Sequence, residues 1–257
     1  LLDPVLGAGP ALAADALPGT TGLVVSVEET GYAGPASARV SRLPEGWDCG
    51  KIKRMGASAA KLLVYYHPAS STAAGMRELI QRVAEDCRRL DLPLFLELLA
   101  YSPDPEQKEL SAGGRREAVI RSAEELSALG ADILKMEFPV DVRREPDENA
   151  WGEACRELTA TSRIPWVLLS AAVDFEVFQR QTEIACQAGA SGVLAGRAIW
   201  KESVEAGPEQ RMDFLCGTGI ERLRLLGETC RKYARPYPGL FAPAAAPEDW
   251  QASYAGL

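Results

Sequence analysis

Ala131-Asp132-Ile133-Leu134-Lys135-Met136-Glu137-Phe138-Pro139 is an apolar, strand-like run with a lysine at its centre. A lysine inside a buried strand has lost its water, and an ammonium ion without water is costly. It must pair with a carboxylate, or release its proton and become a nucleophilic amine. Two more runs carry the same kind of intrusion: Lys61 in Ala59-Ala60-Lys61-Leu62-Leu63-Val64-Tyr65-Tyr66, and Glu97 in Leu94-Phe95-Leu96-Glu97-Leu98-Leu99. Three apolar strands that each bury a charge point to one shared polar site.

Working outward, further short β-rich runs occupy Gly22–Glu29, Trp166–Ser170 and Gly192–Gly196, with Leu1–Asp3 as a remnant. Most are apolar at consecutive positions, the pattern of parallel strands covered on both faces. Amphipathic helices lie between them. After Ser71 or Thr72 as N-cap, Met76, Leu79, Ile80, Val83, Cys87 and Leu90 form a helical stripe. A second helix follows Asp174 and stops at Gly189; others cover roughly Ala118–Leu129 and Ile220–Tyr233. Repeated strand–helix units match a (β/α)8 TIM barrel better than an open doubly wound sheet, and no Gly-rich dinucleotide turn follows an early strand. Only seven strands can be counted, the first a stub, so the reading is an α/β barrel that lacks its first strand in this chain. Residues 1–235 are expected to form the barrel domain and 236–257 a Pro/Ala-rich C-terminal tail.

Composition narrows the function. A net charge of −8 over 257 residues argues against a general nucleic-acid or anionic-membrane partner, yet local arginines and backbone amides can still hold a small phosphate. The six cysteines are scattered without a CxxC pair and read as reduced structural thiols of a cytoplasmic protein. His67 is the only histidine, so a metal site built on several imidazoles is impossible. No apolar run is long enough for a membrane span. The sequence does not fix an oligomeric state, and a homo-oligomer stays open.

Along a barrel strand every second side chain points inward. Lys135 and Glu137 therefore share a face; with Lys61 and Glu97 also inward, three successive strands bring their charges together. Desolvation and a neighbouring Lys61 ammonium would lower the Lys135 pKa toward a free amine. That amine can attack a ketone, form an iminium ion and use it as an electron sink, with Glu97 shuttling the proton that expels water. The competing reading is a structural Lys–Glu–Lys network filling the barrel. Two later loops add a second signal, because barrels of this kind commonly bind phosphate there. Ser170, Ala171 and Ala172 end one strand, Gly196 and Arg197 the next, and they would supply donors to an anion; a small-residue turn with a rim arginine is the alternative. His67, before Pro68, reads as a hydrogen-bonded rim residue rather than a base, with Tyr65 lining the pocket and Tyr66 packed outward.

Seven ordered segments, LLDPVLGAGPA, VEETGY, KLLVYYHP, PLFLELLAY, ADILKMEFPV, PWVLLSAAVDFEVF and GASGVLAGRAIWKESV, span about residues 1–205. Together they resemble the tagatose-1,6-bisphosphate aldolase family, class I aldolases related to the sulfofructose-phosphate aldolases. The resemblance implies Lys135 as the Schiff-base lysine, Lys61 as a second active-site lysine and Glu97 as the acid/base carboxylate. It also implies Ser170 and Arg197 as phosphate or sulfonate ligands, and no metal or cofactor. The implied substrate is a ketohexose bisphosphate, D-tagatose 1,6-bisphosphate first and a sulfofructose phosphate second. A different class of reading is a catalytically weak barrel that binds sugar phosphates and signals to a partner. Two departures bear on these roles. The family's Asp-Gln-Arg segment on its first strand lies ahead of Leu1, so a protein starting there is expected to form an imperfect barrel with little turnover. Ala172 stands where the family often has Gly, and a left-handed backbone at that point would burden its methyl group.

Overall fold

Six parallel strands pair in chain order: β1 (Val24–Ser26), β2 (Ala59–Tyr66), β3 (Leu94–Ala100), β4 (Ile133–Met136), β5 (Trp166–Leu169) and β6 (Val193–Leu194). The computed structural model describes residues 1–237 and 248–253. Leu2 continues the sheet beyond β1 as a single parallel bridge to Val25, with Leu2 N donating to the Val24 carbonyl at 2.9 Å and Ser26 N to the Leu2 carbonyl at 3.1 Å. The expected stub is thus real but one residue deep. Each strand is shorter than or close to its expected run, and β6 keeps only two residues of Gly192–Gly196.

Register places the charges. Ser26 pairs with Lys61, Leu63 with Glu97, and Glu97 with Lys135. Alternation then divides each strand between two environments. Leu62, Val64, Leu96, Leu134, Met136, Trp166 and Leu168 are buried in the hydrophobic core, while Lys61, Leu63, Tyr65, Glu97, Leu99, Lys135 and Leu169 line a cavity on the other face.

The helices are α1 (Gly9–Ala13), α2 (Cys49–Arg54), α3 (Ala73–Arg89), α4 (Ala112–Leu126), α5 (Glu148–Thr161), α6 (Phe175–Gln187), α7 (Arg197–Trp200), α8 (Pro208–Phe214), α9 (Ile220–Tyr233) and the short α10 (Trp250–Ser253). On α3 the stripe Met76, Leu79, Ile80, Val83 and Cys87 is buried as its spacing predicts. Its start differs in detail: neither Ser71 nor Thr72 caps the helix with its side chain, and Ser70 Oγ instead accepts from Thr72 N at 3.2 Å. Helix α4 begins six residues before the expected Ala118, because Ser111 Oγ accepts from Gly114 N and caps it. It ends at Leu126, and Gly130 follows with φ +96°. Helix α6 follows Asp174 as expected and leaves through Gly189 at φ +109°.

This is a (β/α)8-type barrel wall, open among the described residues between β6 and the Leu2 bridge. Arg235 N donates to the Ala190 carbonyl at 3.0 Å and ties the end of α9 to the chain entering β6. Most of the expected Pro/Ala-rich tail, residues 238–247 and 254–257, lies outside the described residues.

Candidate active site

The inner face of the sheet holds a row of four alternating charges, Glu28, Lys61, Glu97 and Lys135. Lys135 Nζ lies 2.8 Å from Glu97 Oε1, and Lys61 Nζ lies 3.2 Å from Glu97 Oε2. Lys61 Nζ also donates to Glu28 Oε1. The side chains of these four residues are 6–12% exposed. Removing so many charges from water is costly unless each meets an opposite one, and the alternation supplies that.

The two lysines are driven apart by their partners. Burial opposes charge on Lys61, but Glu28 and Glu97 together outweigh it and raise its pKa. For Lys135 burial dominates; Glu97, and more weakly Glu28, raise its pKa, the Lys61 ammonium lowers it, and the net direction is down. One lysine is therefore held as the cation and the other is biased toward the free amine.

All three residues expected at the site, Lys61, Glu97 and Lys135, meet at this row. Glu28 carries a fourth charge that the sequence reading did not assign. It closes a stretch, Val25-Ser26-Val27-Glu28, in which polar residues alternate with valines, and that alternation was the available signal. Glu137 shares the Lys135 face as expected, but its carboxylate is engaged: Oε1 lies 3.0 Å from Arg115 Nη2, and Oε2 accepts from Ala100 N at 2.7 Å.

Over the row lies a cavity of about 780 Å³, lined by the four charges, Tyr65, Ser170, Ala171, Gly196 and Arg197 among others. Gly196 N donates to Ser170 Oγ at 3.4 Å, joining the loops after β5 and β6. Arg197 is exposed on the cavity wall. Ala172 does not line this cavity; it borders a neighbouring one of about 420 Å³ with Arg115 and Glu137. Its φ is +60° and that of Ala171 is +44°, so both methyl groups sit on left-handed backbone. His67 does not line the main cavity; its Nδ1 accepts from Ala69 N at 3.2 Å, and burial, then the Arg121 charge, hold its pKa below the ordinary value. Tyr66 packs away from the cavity, its hydroxyl bonded to Glu125 Oε2 at 2.6 Å.

Residues 8–202 match the model of the DeoC/LacD family aldolases. The chain is 31% identical over 259 residues to tagatose 1,6-diphosphate aldolase 2 of Streptococcus agalactiae, covering 91% of this chain and 77% of the relative. It is 31% identical over 262 residues to tagatose 1,6-diphosphate aldolase of Lactococcus lactis, covering 92% and 78%. Among solved structures, an archaeal fructose 1,6-bisphosphate aldolase superposes with a TM-score of 0.59 at 20% identity over 88% of this chain and 76% of that one. A second archaeal structure, in which the catalytic Lys carries the carbinolamine intermediate of its substrate, gives 0.58 at 20% identity over 84% and 75%. At that identity the likeness is one of fold.

Proposed function

The chain belongs to the DeoC/LacD aldolase family and is by that membership an aldehyde-lyase; on this premise we propose that it cleaves a ketohexose bisphosphate through an imine on Lys135. The proposed substrate is D-tagatose 1,6-bisphosphate and the products are dihydroxyacetone phosphate and glyceraldehyde 3-phosphate. The observation that carries the reading is Lys135 Nζ at 2.8 Å from Glu97 Oε1, in a cavity wall, with Lys61 on the other oxygen. The names of the relatives support the substrate.

The free amine of Lys135 adds to C2, and the carbonyl oxygen takes up a proton to give a carbinolamine. Glu97 takes a proton from the nitrogen and delivers it to the departing hydroxyl, so that water leaves and an iminium ion remains. The C4 hydroxyl then gives its proton to a carboxylate of the row while the C3–C4 electron pair flows into the iminium. Glyceraldehyde 3-phosphate leaves, and the enamine is protonated at C3 and hydrolysed, returning the amine and dihydroxyacetone phosphate. Lys61, fixed as an ammonium, keeps the second cation of the row charged while Lys135 reacts. Ser170, Ala171, Gly196 and Arg197 hold a substrate phosphate at the rim, and Ala172 completes the turn that presents them.

The reading includes a cytoplasmic location, supported by six free thiols. No helix of the described residues is long and apolar enough to cross a membrane.

Borohydride reduction in the presence of dihydroxyacetone phosphate, followed by peptide mass mapping, tests the mechanism. A stable adduct is expected on Lys135 and absent in Lys135→Ala. No adduct in a protein that still binds the sugar phosphate would instead support the signalling barrel. Competition between tagatose 1,6-bisphosphate and sulfofructose 1-phosphate tests the substrate, and a clear preference for the sulfonate would replace it.

A further inference from the structure

Glu28 sits between two residues whose backbone amides are both hydrogen-bonded. Val27 N donates to the Lys61 carbonyl at 2.9 Å and Glu29 N to the Arg42 carbonyl at 2.8 Å, so the backbone on both sides is pinned. The side chain is 7% exposed and lines the cavity. One carboxylate oxygen, Oε1, accepts from Lys61, while Oε2 is closed to water and has no hydrogen-bond partner. Buried polar atoms are almost always bonded, and an exception calls for a cause. The torsion about the terminal bond of a glutamate is broad, so the carboxylate can turn without moving the backbone.

We propose that Glu28 is a substrate-recognition residue, whose free carboxylate oxygen accepts a hydrogen bond from one hydroxyl of the open-chain sugar while the other oxygen stays on Lys61. This deepens the aldolase reading and rests on it. An ionised carboxylate only accepts hydrogen bonds, so it selects a hydroxyl and repels a phosphate or carboxylate at the same point. The unbonded acceptor is costly in the empty site, and the cost is recovered only when the hydroxyl is present. A site built to bond a hydroxyl rejects the analogue lacking it far more strongly than an apolar pocket rejects a missing methylene. Ser26, two residues before Glu28, and Lys61, which holds its other oxygen, line the same cavity.

The test measures the rate of borohydride-trapped adduct on Lys135 with the parent ketohexose bisphosphate and with its 3-, 4- and 5-deoxy analogues, in the full chain and in Glu28→Gln. Trapping reads imine formation and does not require that the analogue be cleaved. One analogue is expected to trap roughly 100-fold more slowly than the parent, and that ratio is expected to fall to a few-fold in Glu28→Gln. Equal slowing of parent and analogues in the variant, with the ratio kept, would show that Glu28 only holds Lys61 and would overturn the proposal. So would a wild-type protein that traps the parent and all three analogues alike, a result that needs no variant to fold and leaves the aldolase reading standing. No adduct with any sugar would bring down both.

Discussion

Lys135 and Lys61 are the same residue type on the same face of the sheet, and their different partners give them opposite tendencies. The depressed pKa of Lys135 makes a signed prediction. Imine formation requires the unprotonated amine, so the trapping rate should rise with pH through an inflection below the ordinary lysine value. Replacing Lys61 by Met removes the neighbouring ammonium and leaves Glu97 to Lys135 alone. Both changes favour the protonated form of Lys135, so the inflection should move upward, with about a tenfold loss of amine at neutral pH for each unit it moves. An inflection that stays in place in Lys61→Met would refute the coupling. The same variant leaves Glu28 buried without its cation and should lose roughly 3 kcal/mol of stability in a denaturant titration. The row was legible at Lys61, Glu97 and Lys135 because each is a charge set inside a long apolar run. Glu28 was harder to see: it lies near the end of the expected run Gly22–Glu29, beside a second glutamate, and not inside an unbroken apolar stretch.

At the scale of elements, apolar stripes and strand runs were readable wherever burial on one face controls the choice of residue, as in α3 and β2. Where backbone hydrogen bonding decides, the sequence is a poorer guide. The start of α4 rests on a serine cap followed by two glycines, Gly113 and Gly114, which weaken the helical signal. Helix α5 carries its signal in Trp151, Cys155 and Leu158 within a stretch rich in charged residues. The loop after β5 is a harder case still, because Ala171 and Ala172 hold a left-handed backbone that alanine adopts only at a cost of about 1–2 kcal/mol. Ala172→Gly should relieve it at φ +60°, offset in part by the greater freedom of glycine in the unfolded chain. The expected outcome is a gain of roughly 0.5–1 kcal/mol in unfolding free energy, read by denaturant titration, and a loss would show that the methyl packs better than its backbone suggests. The end of α6 gives the opposite case. A Cβ on Gly189, at φ +109°, would lie 2.7 Å from Thr159 Cγ2. Thr159 Oγ1 donates to the Ala188 carbonyl at 2.7 Å and accepts from Trp166 Nε1 at 2.9 Å. Gly189→Ala should therefore displace Thr159 and cost about 2 kcal/mol or more; a midpoint within experimental error of the parent would contradict that packing.

Over the whole molecule the parallel sheet converts sequence order into a charge order: successive strands β1 to β4 deliver the segments that carry Glu28, Lys61, Glu97 and Lys135. An electron sink for carbon–carbon cleavage can come from a metal ion or from an iminium nitrogen, and the donor set tells which one this arrangement suits. No group of three or more His, Cys, Asp or Glu side chains among the described residues is placed to grip a metal. Glu28 and Glu97 are already paired with ammonium groups, which a divalent cation would have to displace against charge of its own sign. The proposed Schiff-base mechanism calls for no metal. Dialysis against excess EDTA should leave both the rate of sugar-phosphate cleavage and the yield of reduced adduct on Lys135 within experimental error of the untreated protein. A loss of cleavage that added zinc or magnesium restores, with the adduct yield unchanged, would place a metal at the C4 side of the reaction and require a different base for the cleaved bond. A loss of both would remove Lys135 from the centre of the mechanism.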